Sequence, residues 1–360
     1  MKVRILSLDG GGIRGIIPAT VVEYIENKLI ELTKNKNARI ADYFDMIIGT
    51  STGGILSCFY LTPNKSTEKN KPSSKYPASK ALEFYSQKGY DIFNKSKNKS
   101  WFGLRQLVNA TQYNPNTIEQ IFKETFGDLK LSEMLKPCTV TTYNMVSKSA
   151  FFFSSIENKD KKRDFYVRDV VRSTSAAPTY FPPAKIKNLI TNTEMINIDG
   201  GVFANNPTMC AYAEARNTEF KQIKNPSAKD MLILSIGTGG GSFKINNIDK
   251  SKKWSVLNWA KSIPDIMMDG SIDTVHYQIN NIFGTLEKEH KFNYKRVDVP
   301  VDKRTYSSDM ANASPENIAA LKNAGNEAII NANVKRNDQY TLDEFIEQLI
   351  KNAPEKNILS

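Results

Sequence analysis

The sequence predicts an α/β protein built on a parallel sheet with helices on its faces. Two observations predict it. A short apolar run, a glycine turn and an apolar helical segment follow one another twice before residue 62. Further short apolar runs then recur between polar or glycine-rich turns, the pattern of strands buried on both faces. A hydrophobic fraction of 40% and a charged fraction of 24% fit a globular chain able to bury a core.

Residues 3–8 read as a buried strand, and "DGGGIRG" (Asp9–Gly15) as a tight turn exposing backbone N–H groups. A helix is expected from about Ile16, with Pro18 in its first turn and Val21, Val22, Ile25, Leu29 and Leu32 on one face. A second strand, "MIIG", runs into "TSTGG" and the apolar segment "ILSCFYL". Thr62–Tyr76 and Asn94–Ser100 are polar and read as loops. Strand-like runs follow in "CTVTTYN" (from Cys138), "AFFFSS" (from Ala150), "EMINID" (from Glu194) and "MLILSIGTGGG" (from Met231). Near the end "SPENIAALKNAGNEAI" opens as a helix start, and Thr341 and Glu344 have capping-box spacing. No repeat or compositional break divides the chain. A single domain over residues 1–360 is expected, its core at about 3–210 with a helical C-terminal elaboration.

The formal charge is +11, from 49 Lys+Arg against 38 Asp+Glu. Much of the excess is lysine in polar Lys/Asn/Ser stretches, a solvated surface that still suits an anionic partner such as a lipid surface. Cys58, Cys138 and Cys210 form neither a disulfide framework nor a zinc pattern. The chain enters its first strand without a signal-peptide pattern and holds no apolar stretch of membrane-span length. A cytoplasmic protein is the expectation.

The chemistry concentrates at Gly49-Thr50-Ser51-Thr52-Gly53, a G-x-S-x-G nucleophile elbow. A serine there stands on a strand-to-helix turn at the positive end of the helix, where developing negative charge is stabilised. It needs a base. The two histidines, His276 and His290, lie in charged surroundings and read as ordinary surface or packed side chains. "INIDGG" instead places Asp199 at a strand end before two glycines. Spacing alone leaves it open between a catalytic base and a turn cap.

Taken in order, "DGGGIRG", "GTSTGG" and "DGG" resemble the three signature blocks of the patatin-like phospholipases. "IIPATVVEYIE", "ARIADYFDMIIGTSTGG", "STSAAPTYFPP", "LILSIGTGGG" and "MANASPENIAAL" resemble the plant patatins in order and approximate spacing, over nearly the whole chain. The resemblance implies a three-layer α/β/α sandwich around a mostly parallel sheet, and a lipid acyl hydrolase that needs no cofactor or metal. It implies Ser51 as nucleophile, Asp199 as base without histidine, and Gly10, Gly11, Gly12 and Arg14 as the oxyanion hole. Gly49 and Gly53 would close the elbow. Arg14 stands where many plant members carry lysine, and "DGG" replaces their "DGA"; both changes keep the chemistry. The secretory leader of plant storage patatins is not matched, which favours an intracellular enzyme.

Three other readings stand beside this one. Gly10-x-Gly12-x-x-Gly15 also satisfies a dinucleotide fingerprint, but its expected acidic partner is Glu31, inside a helix. The same acyl-enzyme would serve an acyltransferase. A storage or interaction protein would keep the motifs without the activity, a reading against which all three complete blocks speak. The expected partner is membrane or micellar lipid, not nucleic acid, with "SWFGL" (Ser100–Leu104) either dipping into lipid or packing in the core.

Overall fold

Six consecutive buried residues, Val3–Leu8, form β1. The computed structural model describes residues 1–65, 72–95, 111–156, 162–221, 223–240, 256–336 and 339–354. The segment "SWFGL" and parts of both polar loops therefore lie outside the described residues. After β1 come α1 (Ile16–Thr33), α2 (Ile40–Tyr43), β2 (Met46–Thr50), α3 (Thr52–Leu61), α4 (Ala78–Tyr90) and α5 (Pro115–Phe126). Next are β3 (Cys138–Asn144), β4 (Ser149–Ser154), α6 (Val167–Thr174), β5 (Ala184–Lys187) and β6 (Glu194–Asp199). Then follow α7 (Gly201–Ala204), α8 (Thr208–Arg216), β7 (Met231–Ile236), α9 (Val256–Gly284), β8 (Tyr294–Val297), α10 (Pro315–Ala332) and α11 (Leu342–Lys351).

The strands form one sheet in the order β5-β6-β3-β2-β1-β7-β8, with β4 also paired to β3. The β3-β2-β1-β7-β8 run is parallel throughout. The sheet is thus mostly parallel, as expected, while β4 and β6 run antiparallel to β3, and β5 antiparallel to β6. For β4 the reason is the four residues between Asn144 and Ser149, too few for a crossover helix.

Alternation along the central strands sends side chains to two separate cores. Val3, Ile5, Met46, Ile48, Met231 and Ile233 pack with Ala211 of α8 and Ile279 and Phe283 of α9. Leu6, Leu8, Ile47, Leu232, Leu234 and Ile236 face the larger core built with α1, α3, α10 and α11. Helices thus cover both faces of the mostly parallel sheet, the α/β/α arrangement. The predicted face of α1 is buried through Leu29, but Leu32 is 43% exposed because the last turn runs past this packing. Ser314 caps α10 through the Asn317 N–H, and Thr341 with Glu344 forms the capping box of α11. Among the described residues no helix is long and apolar enough to cross a membrane.

Candidate active site

β2 ends at Thr50 and α3 begins at Thr52, so the whole strand-to-helix turn is Ser51. Its backbone sits at φ 53°, ψ −120°, a conformation that costs an L-residue about 1–3 kcal/mol. The turn closes because its neighbours lack side chains. A Cβ on Gly49 would lie 2.1 Å from the Gly53 carbonyl oxygen, and one on Gly53 would lie 2.1 Å from the Leu8 carbonyl oxygen. The Ser51 N–H donates to Thr174 Oγ1 at 2.8 Å, while its carbonyl accepts the first helical bond from Ile55 at 3.0 Å. The side chain is thereby held at the positive end of a wholly buried helix.

Asp199 is the last residue of β6. Thr50 pairs with Thr141 and Asp199 with Thr142, so adjacent residues of β3 hold the strand ends that present Ser51 and Asp199. The Ser51 hydroxyl stands beside the Asp199 carboxyl and favours its ionised form, and the Gly201 N–H donates to Asp199 Oδ1 at 2.7 Å. Burial raises the Asp199 pKa from 3.8 to about 7; Ser51 and the Gly201 N–H pull it back only in part.

The glycine loop reaches the same cavity with some of its amides already engaged. The Gly10 N–H donates to the Asn205 carbonyl at 3.0 Å, and the Ile13 N–H to the Met310 carbonyl at 2.9 Å. The Thr238 hydroxyl donates to the Gly10 carbonyl at 2.6 Å. Among the described residues, the N–H groups of Gly11 and Gly12 have no partner, and both glycines line the cavity with Ser51 and Asp199. Gly11 and Gly12 thus differ from the other two residues expected at the oxyanion hole. The Gly10 amide is occupied, and Arg14 does not line the cavity. The Arg14 N–H donates to the Gly11 carbonyl at 3.2 Å, tightening the turn, while its guanidinium lies 3.6 Å from where a Cβ on Gly240 would stand.

Below the loop lies a charge cluster that the sequence did not disclose. Asp9 is fully buried and takes two bonds from Arg296, at 3.0 and 2.6 Å; Arg296 also reaches Asp298 at 2.7 Å. Burial raises the Asp9 pKa to about 6 against the pull of Arg296. Burial works against the charge of Arg296, yet the two carboxylates hold its pKa above its ordinary value. Thr174, Asn205, Thr238 and Met310 were missed as site residues: the blocks that contain or adjoin them were legible, but the contacts each makes with Ser51 or the glycine loop come from elsewhere in the chain.

The rest of the cavity wall is mainly apolar, including Ile55, Phe84, Ile92, Phe93, Ile118 and Phe181. Neither histidine lines it. His276 Nδ1 is 3.0 Å from the Tyr294 hydroxyl and Nε2 is 2.9 Å from Asn280 Nδ2, and His290 pairs with Glu289 at 3.3 Å. Among the described residues, Glu287, Glu289 and His290 bring metal-type ligand atoms together, also outside this cavity.

The family model for patatin-like phospholipases matches residues 6–212. Patatin-like protein 2 of Oryza sativa subsp. indica is 32% identical over 363 aligned residues, covering 94% of this chain and 86% of the rice protein. Patatin-04/09 of Solanum tuberosum is 33% identical over 364 residues, covering 97% and 89%. Among solved structures, VipD from Legionella pneumophila matches 91% of this chain and 66% of its own, with a TM-score of 0.36 and 13% identity.

Proposed function

The chain belongs to the patatin-like phospholipase family, and from that membership and the geometry of its site we propose that it is a serine lipid acyl hydrolase. Its substrates are fatty-acyl esters of phospholipids or galactolipids, with Ser51 as nucleophile and Asp199 as base. The observation that carries this reading is the placement of the Ser51 hydroxyl beside the buried Asp199 carboxyl, in an apolar cavity lined by Gly11 and Gly12, whose amides have no partner among the described residues.

Asp199 takes the Ser51 proton as the hydroxyl oxygen attacks the ester carbonyl carbon. A carboxylate at its ordinary pKa is a weak base near neutrality; at about 7 its proton affinity suits this transfer. The carbonyl oxygen becomes an oxyanion held by the Gly11 and Gly12 N–H groups. Each such donor is worth about 2.7–4 kcal/mol in the transition state. Collapse of this intermediate breaks the ester C–O bond, and the proton on Asp199 passes to the leaving alcohol. Water then attacks the acyl-Ser51 carbonyl, giving its proton to Asp199, and collapse returns that proton to Ser51 and frees the fatty acid. The apolar wall receives the acyl chain. Arg14 and Gly10 act through the shape of the loop, not by touching the oxyanion.

The test is fatty-acid release from phospholipid and galactolipid mixed micelles, comparing wild type with Ser51→Ala, Asp199→Asn and His276→Ala. The first two variants are expected to lose activity by about a thousandfold or more, and the third to keep it. In wild type, kcat/KM should rise with pH to a plateau above about 7, as Asp199 ionises. Activity that survives Asp199→Asn and falls with His276→Ala contradicts the proposal.

A further inference from the structure

Helix α9 carries apolar side chains on two opposite faces. Met268 lines the Ser51 cavity, and Ile272 and Ile279 are buried below it on the same side. The Ser271 hydroxyl accepts from the Asn205 N–H at 3.1 Å, tying the helix to the segment after Asp199. The outward face of such a helix ordinarily turns polar side chains to water. Here Trp259, Ile263, Ile266 and Met267 are 47, 44, 40 and 46% exposed. At 3.6 residues per turn these four fall within one arc of about 100°, opposite Met268. Tyr277, 71% exposed, continues the arc toward the other end of the helix.

We propose that this stripe docks the protein on the surface of aggregated lipid. The inference rests on the hydrolase reading above, and names the surface through which its cavity meets a substrate that lives in an interface. Three observations favour lipid as the occupant. The same helix lines the Ser51 cavity with its other face, so a surface seated on the stripe lies one helix diameter, ~10 Å, from the cavity. A tryptophan at one end and a tyrosine at the other are the amphipathic rings favoured where apolar and wet surroundings meet. The chain's net charge of +11 favours an anionic lipid surface for the protein as a whole, although α9 itself carries Asp265, Asp269 and Asp273 against Lys261. A second copy of the chain fits less well. Four half-exposed side chains offer on the order of 300–400 Å² of apolar surface, half or less of the ~800 Å² per partner in a stable dimer.

The test compares wild type with Ile263→Glu/Ile266→Glu, and with Ile330→Glu, which places the same chemistry at an exposed isoleucine (61%) on α10. Sedimentation with phosphatidylcholine vesicles containing phosphatidylglycerol reads docking; turnover of p-nitrophenyl butyrate, a dissolved ester, reads the cavity and the fold. The double variant should lose vesicle binding by about tenfold or more and keep butyrate turnover, with Ile330→Glu matching wild type. Independently, the Trp259 emission, taken as wild type minus Trp259→Phe, should shift to shorter wavelength when vesicles are added. Unchanged vesicle binding by the double variant, or an unmoved Trp259 emission, overturns the proposal. So does a wild type that is dimeric through the stripe and ignores vesicles. If no variant, wild type included, turns over butyrate, the hydrolase reading fails while vesicle binding still decides the stripe.

Discussion

Replacing Asp199 by asparagine should remove activity and, above neutral pH, make the protein more stable. Folding raises this carboxyl from 3.8 to about 7, a shift of roughly three pKa units driven by burial. At 1.36 kcal/mol per unit, keeping the folded site ionised costs about 4 kcal/mol. Because the folded pKa lies above the unfolded one, the bound proton stabilises the folded chain. That contribution is whole below about pH 4 and is lost as the pH rises through about 7. Asparagine cannot ionise, and its Oδ1 still accepts the Gly201 N–H, so the variant escapes the loss. Urea unfolding of both proteins between pH 5 and 8.5 is the assay. Asp9 and Lys295, whose pKa values are shifted to about 6 and about 8, titrate in both proteins and cancel in the difference. The variant's advantage should grow by about 3 kcal/mol across that range. A difference that stays flat with pH would refute the raised Asp199 pKa, and with it the physical reason for this residue to serve as a base.

The strain at Ser51 gives a second prediction: Ser51→Gly should be more stable than Ser51→Ala by about 1 kcal/mol in thermal melts, because glycine alone relaxes at φ 53°. Arg296→Met should destabilise by about 3–5 kcal/mol in urea by leaving Asp9 buried without its partner. That loss should be larger at pH 8 than at pH 5, since protonation spares the orphaned carboxyl. Gly53→Ala, whose new Cβ would stand 2.1 Å from the Leu8 carbonyl oxygen, should abolish the yield of soluble folded protein.

What the sequence made legible was local. Glycines that admit no side chain, an apolar run before them and a helix after them mark the elbow at Ser51, and a strand ending in Asp-Gly-Gly marks Asp199. These signals lie within a few residues of the atoms they position. The engagement of the Gly10 amide was not legible, because its partner is the carbonyl of Asn205, nearly two hundred residues on. Arg14 lies against Gly240 in the loop after β7, and the Asp9–Arg296 pair joins opposite ends of the chain. Which strands run antiparallel was not legible for a related reason: apolar runs announce strands without announcing their direction. Side-chain chemistry was readable where backbone geometry constrained composition, and unreadable where distant segments supplied the partners.

The proposed chemistry rests on Ser51 attacking with Asp199 as its base. A long-chain alkyl fluorophosphonate, which phosphonylates an activated serine in place of acylation, tests it most directly by peptide mass spectrometry. A single adduct is expected, on Ser51, formed fastest above about pH 7, slowed by about a hundredfold or more in Asp199→Asn and unchanged in His276→Ala. An adduct on another residue, or labelling of Ser51 that ignores Asp199→Asn, would contradict it.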